Sequence, residues 1–269
     1  MKKRTNKACR LLVVPAMMLA GLSGLCDAGD NLVPNAGFEK TQEGNLAGWT
    51  QPNDLTIMWE KGGVTGRCLH FDTDVYLRQW KEKQKNPEKE IQKKKTKGNK
   101  YNTVAGSEGV KAWSQPINVE PGRHYLMQVD VKGKGGEPFV YLKGYSRCSE
   151  AEAERHGKMP FFKPHAESQW YALVSGGDTR RKPEEGDFIQ VFRKRLVCRI
   201  PGDSAWRRFR QPVKIRTGRF ACDRILLMLY AFWPPGDYYF DNVVFKPITE
   251  EKASEVRKKR KKHGTLINK

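Results

Sequence analysis

The sequence predicts an all-β domain: two packed antiparallel sheets of about nine strands, with two polar insertions and a basic tail. Three observations predict it. Short runs with period-two alternation recur along the chain, Tyr125–Lys132 and Phe139–Tyr145 being the clearest. Turn residues separate the runs, with 25 Gly and 15 Pro among 269 residues, as many short strands require. No long amphipathic helix and no internal repeat is found in the sequence.

Residues 1–28 stand apart. Lys2, Lys3, Arg4, Lys7 and Arg10 precede an apolar run from Leu11 to Leu25, and Cys26-Asp27-Ala28 offers small residues at both ends. This pattern is a secretory signal peptide, and it predicts a secreted, periplasmic or envelope protein. The run is short for a membrane span. A lipid-modified Cys26 fits less well, because Leu25 is bulky where a small residue is wanted.

The expected domain covers residues 29–248. Asn31-Leu32-Val33 begins it as the first strand, Pro34–Gly37 turns, and Phe38 anchors. A polar loop from Thr41 to Gly48 delivers Trp49. Leu55–Trp59 reads as a strand ended by Gly62-Gly63, and Arg67–Phe71 alternates. An insertion at about 78–104 follows. Lys81–Lys100 holds nine Lys and three Glu, so it reads as a solvated, projecting loop. Order resumes at Ala112–Val119, and Glu120-Pro121-Gly122 turns into Tyr125–Lys132. Tyr125, Met127, Val129 and Val131 share one face of that strand. In Phe139–Tyr145, Val140, Leu142 and Gly144 form a small aliphatic face suited to a sandwich core, while Phe139, Tyr141, Lys143 and Tyr145 point away. The second insertion, about 146–187, includes a short helix over Ser149–His156, with Phe161-Phe162 and Trp170-Tyr171 packing down. Phe188–Ile200, Trp206–Ile215 and Ile225–Trp233 are further strands, and Tyr238–Phe245 closes the domain. Residues 249–269 form a basic, disordered tail.

The formal charge is +20, and the leader accounts for only a small part of it. Behind a signal peptide, this charge points to acidic polysaccharide, anionic lipid or cell-wall polymer, and nucleic acid is not expected. The charged share of 30% and mean hydropathy of −0.72 do not describe a membrane-spanning protein. Without the leader, Cys68, Cys148, Cys198 and Cys222 remain. An even count in an exported chain favours disulfides. Three pairings can be drawn. Cys148–Cys198 is favoured because the two flank an insertion, which leaves Cys68–Cys222.

The ordered set Asn31-Leu32, Asn35-x-Gly37-Phe38-Glu39, Gly48-Trp49, Gly66-x-x-Leu69, Ser114-Gln115-Pro116-Ile117-x-Val119, Pro121-Gly122-x-x-Tyr125, Trp206 and Tyr239-Phe240-Asp241-Asn242-Val243 resembles the jelly-roll carbohydrate-binding modules of the family 4, 9 and 22 type, in the galactose-binding-like superfamily. The match spans about 31–248. It departs from them at both insertions and at Asn242, where many relatives carry a second Asp. The resemblance implies a jelly-roll sandwich and a structural Ca²⁺ where the first and last strands meet. Its ligands would be Glu39, Asp241 and the Gly37 carbonyl, and such oxygens suit that ion.

Sugar binding needs flat aromatic faces beside polar groups. The candidates are Tyr141 and Tyr145 with Lys143 between them, joined by Asp130 and Gln128 on the neighbouring strand. Trp233, Trp80 and Trp170 are alternatives in loops or at strand ends, while Trp49, Trp113 and Trp206 read as fold anchors. Catalysis has little support. No GxSxG, HExxH, Walker or GxGxxG motif occurs, and Glu150, Glu152, Glu154 and His156 read as a polar helix face. The expected function is therefore non-catalytic binding of a polysaccharide or glycan. The alternative is a structural or adhesion module whose basic segments contact anionic polymer.

Overall fold

The computed structural model describes residues 30–93, 100–149, 151, 161, 162, 187–218 and 221–266. The leader, the Glu150–His156 cluster apart from Ala151, and Trp170-Tyr171 lie outside the described residues. Among the described residues there are thirteen strands: β1 (Thr41–Gln42), β2 (Asn45–Leu46), β3 (Ile57–Lys61), β4 (Arg67–Asp72), β5 (Val110–Trp113), β6 (Ile117–Asn118), β7 (His124–Gly133), β8 (Phe139–Arg147), β9 (Phe161–Phe162), β10 (Phe188–Val197), β11 (Arg207–Lys214), β12 (Arg224–Ala231) and β13 (Asp237–Ile248). Helices α1 (Leu77–Lys85) and α2 (Glu250–Leu266) accompany them.

The strands form a jelly-roll sandwich. A five-stranded sheet runs β11-β7-β13-β4-β3, and a six-stranded sheet runs β5-β12-β8-β10-β9 with β6 paired to β12. All pairings are antiparallel. The alternating faces meet between the sheets: Met127, Val129 and Val131 from β7, Val140 and Leu142 from β8, Leu227 and Leu229 from β12, and Phe240 and Phe245 from β13. Aromatic pairs fill the rest, with Tyr125 and Phe245 stacked 4.7 Å apart and Phe71 and Phe240 4.9 Å apart. Gly144 is small for a packing reason. A Cβ there would lie 2.5 Å from Cys222 Sγ and 2.9 Å from Phe192 Cβ.

Asn31–Phe38 is not the first strand; it is a strap of turns laid along β13. Asn31 clamps it, donating from Nδ2 to the Val243 carbonyl (3.0 Å) and accepting from the Phe245 N–H (2.9 Å). Asn35 ties the following loop to the Lys40 and Ala47 carbonyls at 2.9 and 3.0 Å. Trp49 is buried as expected, 5.2 Å from Phe38.

Both basic segments contain helix. In the first insertion α1 buries Gln79 and Trp80, so Trp80 belongs to the core and not to a ligand surface. Lys93 pairs with the buried Asp72, drawing this stretch onto the sandwich. In the tail, Thr249 caps α2: its Oγ1 accepts from the Lys252 N–H at 3.3 Å. Glu250 and Glu251 sit in the first turn, where the helix dipole favours them. Ala253 and Val256, three apart on one face, are buried, and α2 packs on β11 and β7.

The favoured disulfides are not formed. Cys148 lies beside Asp187 at one end of the β8–β10 pair, its N–H bonded to that carbonyl at 2.6 Å, while Cys198 lies at the other end, bonded to Pro138 at 2.9 Å. Flanking an insertion in sequence does not bring the two together. The strands run some 30 Å between them, by the usual rise per residue, and a disulfide needs Cα atoms within about 7 Å. Cys222 sits in the core between the sheets, while Cys68 alternates with the core residues Leu69 and Phe71 and so faces the outer side of the five-stranded sheet.

Candidate functional site

The structure separates the predicted ligand residues. β7 and β8 are consecutive in sequence but lie in different sheets, because the chain crosses the sandwich between Gly133 and Phe139. Tyr141, Lys143 and Tyr145 therefore face outward from the six-stranded sheet, and Asp130 and Gln128 from the other. Asp130 is also occupied. It accepts from Arg208 Nε and Nη2, both at 2.8 Å, and from Asn242 Nδ2 at 3.0 Å. Burial would raise its carboxyl, but these bonds outweigh burial and hold it below the usual carboxylate range. Tyr145 is only 5% exposed, packed with Trp113, Phe188, Leu226 and Met228, so its ring has no open face to offer a ligand.

The register of the six-stranded sheet builds a mixed aromatic and cationic outer face. Tyr230 pairs with Lys111 on β5 and with Phe139 on β8, and Met228 pairs with Trp113 and Tyr141. Lys143 pairs with Leu226 and Arg193, and Tyr141 with Arg195. Phe139, Tyr230 and Phe232 stack on one another at 5.7–6.2 Å, and Tyr141 lies 5.7 Å from Phe139. Cations cover several rings: Lys143 Nζ is 4.6 Å from the Trp113 centroid, Arg195 Cζ 4.7 Å from Phe139 and Arg193 Cζ 6.0 Å from Tyr141. Burial, with Lys111 and Arg193 close by, pushes the Lys143 ammonium below its ordinary pKa. Beyond β12, Trp233 stacks on Tyr101 at 5.2 Å, and the two are 36% and 70% exposed.

Trp113 is buried as an anchor, although on this outer face, and its Nε1 has no hydrogen-bond partner among the described residues. The sequence reading missed Lys111, Arg193, Arg195, Tyr230 and Phe232. Their signal was alternation in Arg224–Ala231 and Phe188–Val197, which becomes informative only once the pairing partners are known.

The five-stranded sheet has its own outer row. His70 stacks on Tyr239 at 4.3 Å, and its Nε2 lies 2.7 Å from Asp237 Oδ1. On its other side Nδ1 is 3.3 Å from Glu60 Oε1, without hydrogen-bond geometry. Lys132 Nζ lies 4.2 Å from the Tyr239 centroid and 5.0 Å from that of Trp206, so Trp206 is a half-exposed surface ring rather than a core anchor.

Glu39 and Asp241 converge on the loop between β3 and β4. Asp241 Oδ2 accepts from the Val64 N–H at 2.7 Å and the Thr65 N–H at 3.3 Å, and its Oδ1 from the Asn242 N–H at 2.6 Å. Glu39 Oε1 accepts from the Arg67 N–H at 2.8 Å. A bulge in β13 turns Asn242 into the left-handed region at φ 48°, a conformation Asn tolerates. Its amide faces the Asp130 carboxylate, where an Asp would repel. A Cβ on Gly37 would sit 3.8 Å from Asp241 Oδ1, 3.9 Å from Asn242 Oδ1 and 3.9 Å from Glu39 Cγ. Burial pushes the fully buried Asp241 carboxyl up despite its backbone donors, with the Asp130 charge adding to the rise. Carboxylate oxygens are donors of the kind a hard cation such as Ca²⁺ takes, but among the described residues no three His, Cys, Asp or Glu side chains gather as a metal site.

A cleft of about 710 Å³ beside α1 is lined by Tyr76, Leu77, Arg78, Gln79, Lys81, Glu82, Lys85 and Asn102. Among the described residues no helix is long and apolar enough to cross a membrane.

Fold and surface thus define a jelly-roll β-sandwich with a ring-and-cation face on one sheet. No protein-family model and no curated protein matches the chain. Solved structures of similar fold include the enzymatically active domain of tailspike protein 4 from bacteriophage CBA120, at 11% identity and a TM-score of 0.43, covering 81% of this chain and 21% of that one. The chain therefore spans about a fifth of the tailspike structure. A "Family 16 Carbohydrate Binding Module-2" is 11% identical with a TM-score of 0.39, covering 80% of this chain and 99% of that one. TmCBM61 in complex with β-1,4-galactotriose is 10% identical with a TM-score of 0.39, covering 81% and 99%.

Proposed function

We propose that the chain is an exported, non-catalytic glycan-binding module. Its ligand lies on the outer face of the six-stranded sheet and runs past Phe232 onto the Tyr101–Trp233 pair. One observation carries this reading: partly exposed rings continue from Tyr141 through Tyr230 to Phe232, and an exposed stacked pair stands beyond them. Flat apolar rings bordered by hydrogen-bond donors suit the C–H faces and hydroxyls of pyranose rings. The test is affinity electrophoresis on a glycan panel with Tyr101→Ala/Trp233→Ala. Each ring is worth about 0.5–1.5 kcal/mol beyond its buried area, so retention should fall about tenfold. Retention equal to wild type would place the ligand elsewhere.

The same reading includes a structural Ca²⁺ held by Glu39, Asp241 and the Gly37 carbonyl. It would neutralise the buried Asp241 carboxylate and lock the β3–β4 loop to β13. Chelator should lower the melting temperature, and Ca²⁺ but not Mg²⁺ should restore it. A melt indifferent to both would remove the ion from the reading. Export rests on residues 1–28, and sequencing the N-terminus of the protein recovered outside the cytoplasm tests it.

A further inference from the structure

We propose that the glycan bound by this face is anionic, carrying carboxylate or sulfate ester groups, and that Lys111, Lys143, Arg193 and Arg195 receive them. The inference rests on the reading of the face as a glycan site and adds the charge class of the ligand.

Three strands supply the cations. Lys111 comes from β5, Lys143 from β8, and Arg193 and Arg195 from β10, on either side of the apolar stripe of β12. Among the described residues none of the four has a carboxylate partner. That is not the habit of this surface elsewhere: Arg123 pairs with Glu120, Arg199 with Glu137, Arg207 with Asp203 and Arg208 with Asp130. No outward-facing strand residue of the patch is acidic; Glu108 lies at its edge, its carbonyl bonded to the Tyr230 hydroxyl. Lys143 bears the consequence, its ammonium disfavoured by burial and by the charges of Lys111 and Arg193. An arriving anion reverses that repulsion.

The rings argue the same way. A neutral sugar stacks on open ring faces, but Trp113 and Phe139 already lie beneath cations, and Arg193 flanks the partly exposed Tyr141 ring. What the sheet presents outward at these positions is ammonium and guanidinium, held in place by the rings below. Guanidinium forks match the oxygens of carboxylate and sulfate, and prior placement reduces the ordering cost of binding.

The experiment uses the full mature chain in affinity electrophoresis and calorimetry at about 0.15 M NaCl, where long-range attraction is largely screened. The probes are polygalacturonate, a sulfated galactan, a neutral galactan and poly(dT). Arg193→Gln/Arg195→Gln is compared with a tail control, Lys258→Gln/Lys259→Gln, and circular dichroism verifies folding. One or both acidic glycans should bind at least about tenfold more tightly than neutral galactan, and whichever binds names the acid group. The Arg193/Arg195 variant should lose about tenfold for the acidic glycan, and the tail control less than about twofold. Neutral galactan binding as tightly, with the Gln variant unchanged, overturns the charge class and leaves a glycan site. Equal losses in the tail control also overturn it. Tighter binding of poly(dT), or no binding of any glycan, overturns the glycan reading itself. If Arg193→Gln/Arg195→Gln does not fold, Arg193→Lys/Arg195→Lys replaces it. Charge without the fork should then weaken acidic-glycan binding several-fold, and wild-type affinity would count against the assignment.

Discussion

Replacing Arg208 by Ala should destabilise the domain at neutral pH and leave it little changed in acid. Arg208 makes two bonds of 2.8 Å to the Asp130 carboxylate, which is 4% exposed, while the Arg208 side chain is 56% exposed. A hydrogen bond to a charged group contributes about 1.5–3 kcal/mol. Water reaches this guanidinium and screens it, so the pair is discounted below the sum of two such bonds, to about 2 kcal/mol. For a domain of this size that corresponds to about 4–8 °C in melting temperature. The pH dependence follows from the lowered Asp130 carboxyl. A carboxyl depressed on folding contributes stability that is present above its unfolded pKa, about 3.9, and is lost as pH falls through the folded value. The gap between wild type and variant should therefore be full at pH 7 and close below about pH 4. Urea titrations at several pH values measure it. A variant as stable as wild type at neutral pH, or a gap of constant size into acid, would refute the pairing as a source of stability.

Three further outcomes are expected. Gly66→Ala places a Cβ 2.3–2.6 Å from the Glu39 carboxylate at φ 65°, so it should cost about 2 kcal/mol or more through backbone strain and loss of the Glu39–Arg67 bond; an unchanged urea midpoint would show that the loop is not clamped. Trp80→Ala should cost about 3 kcal/mol by leaving a cavity under α1, whereas a solvated lysine loop would lose nothing measurable by calorimetry. Burial pushes the Cys68 and Cys222 thiols up to about 12 and about 11, so neither should react with a thiol reagent at pH 8 until the protein unfolds. A disulfide-linked Cys68–Cys222 peptide in a digest would contradict the structure.

The strands were legible because their signals are local. Alternation in Tyr125–Lys132 and Phe139–Tyr145 assigned the inward and outward faces of β7 and β8 as the structure has them. What alternation cannot carry is which strands share a sheet. Consecutive strands pair in about two-thirds of cases, and the β7–β8 connection is one that does not, so Asp130 and Gln128 were joined to a face they do not share. The two helices were hidden for different reasons. In α1 the lysines drew attention from Trp80, whose burial draws the helix onto the core. In α2 the run of like charge masked a Thr249 cap with Glu250 and Glu251 behind it, and Ala253 and Val256 face the sandwich. The Glu39–Asp241 convergence was reached through the resemblance and not through spacing, since the two residues are joined only by the strap along β13 and the loop between β3 and β4.

The two outer faces differ less in composition than in what their charges already hold. On the five-stranded sheet Asp130 is bonded by Arg208 and Asn242, His70 stands between Glu60 and Asp237, and Lys132 lies over Tyr239 and Trp206. A ligand seated there would have to break existing bonds of Asp130 and Asp237, so most of its polar contacts would exchange rather than add. On the six-stranded sheet the cations rest on rings and not on carboxylates. An anion arriving there forms charge-assisted bonds without displacing a protein partner, and it relieves the repulsion among Lys111, Lys143 and Arg193. Rings of the same kind thus serve opposite ends. Tyr239 and Trp206 lie beside Lys132 in a row that already has its carboxylates, while Trp113, Phe139 and Tyr141 lie beside cations that have no carboxylate partner among the described residues. Substitutions in the first row should therefore register in stability, and those in the second in binding.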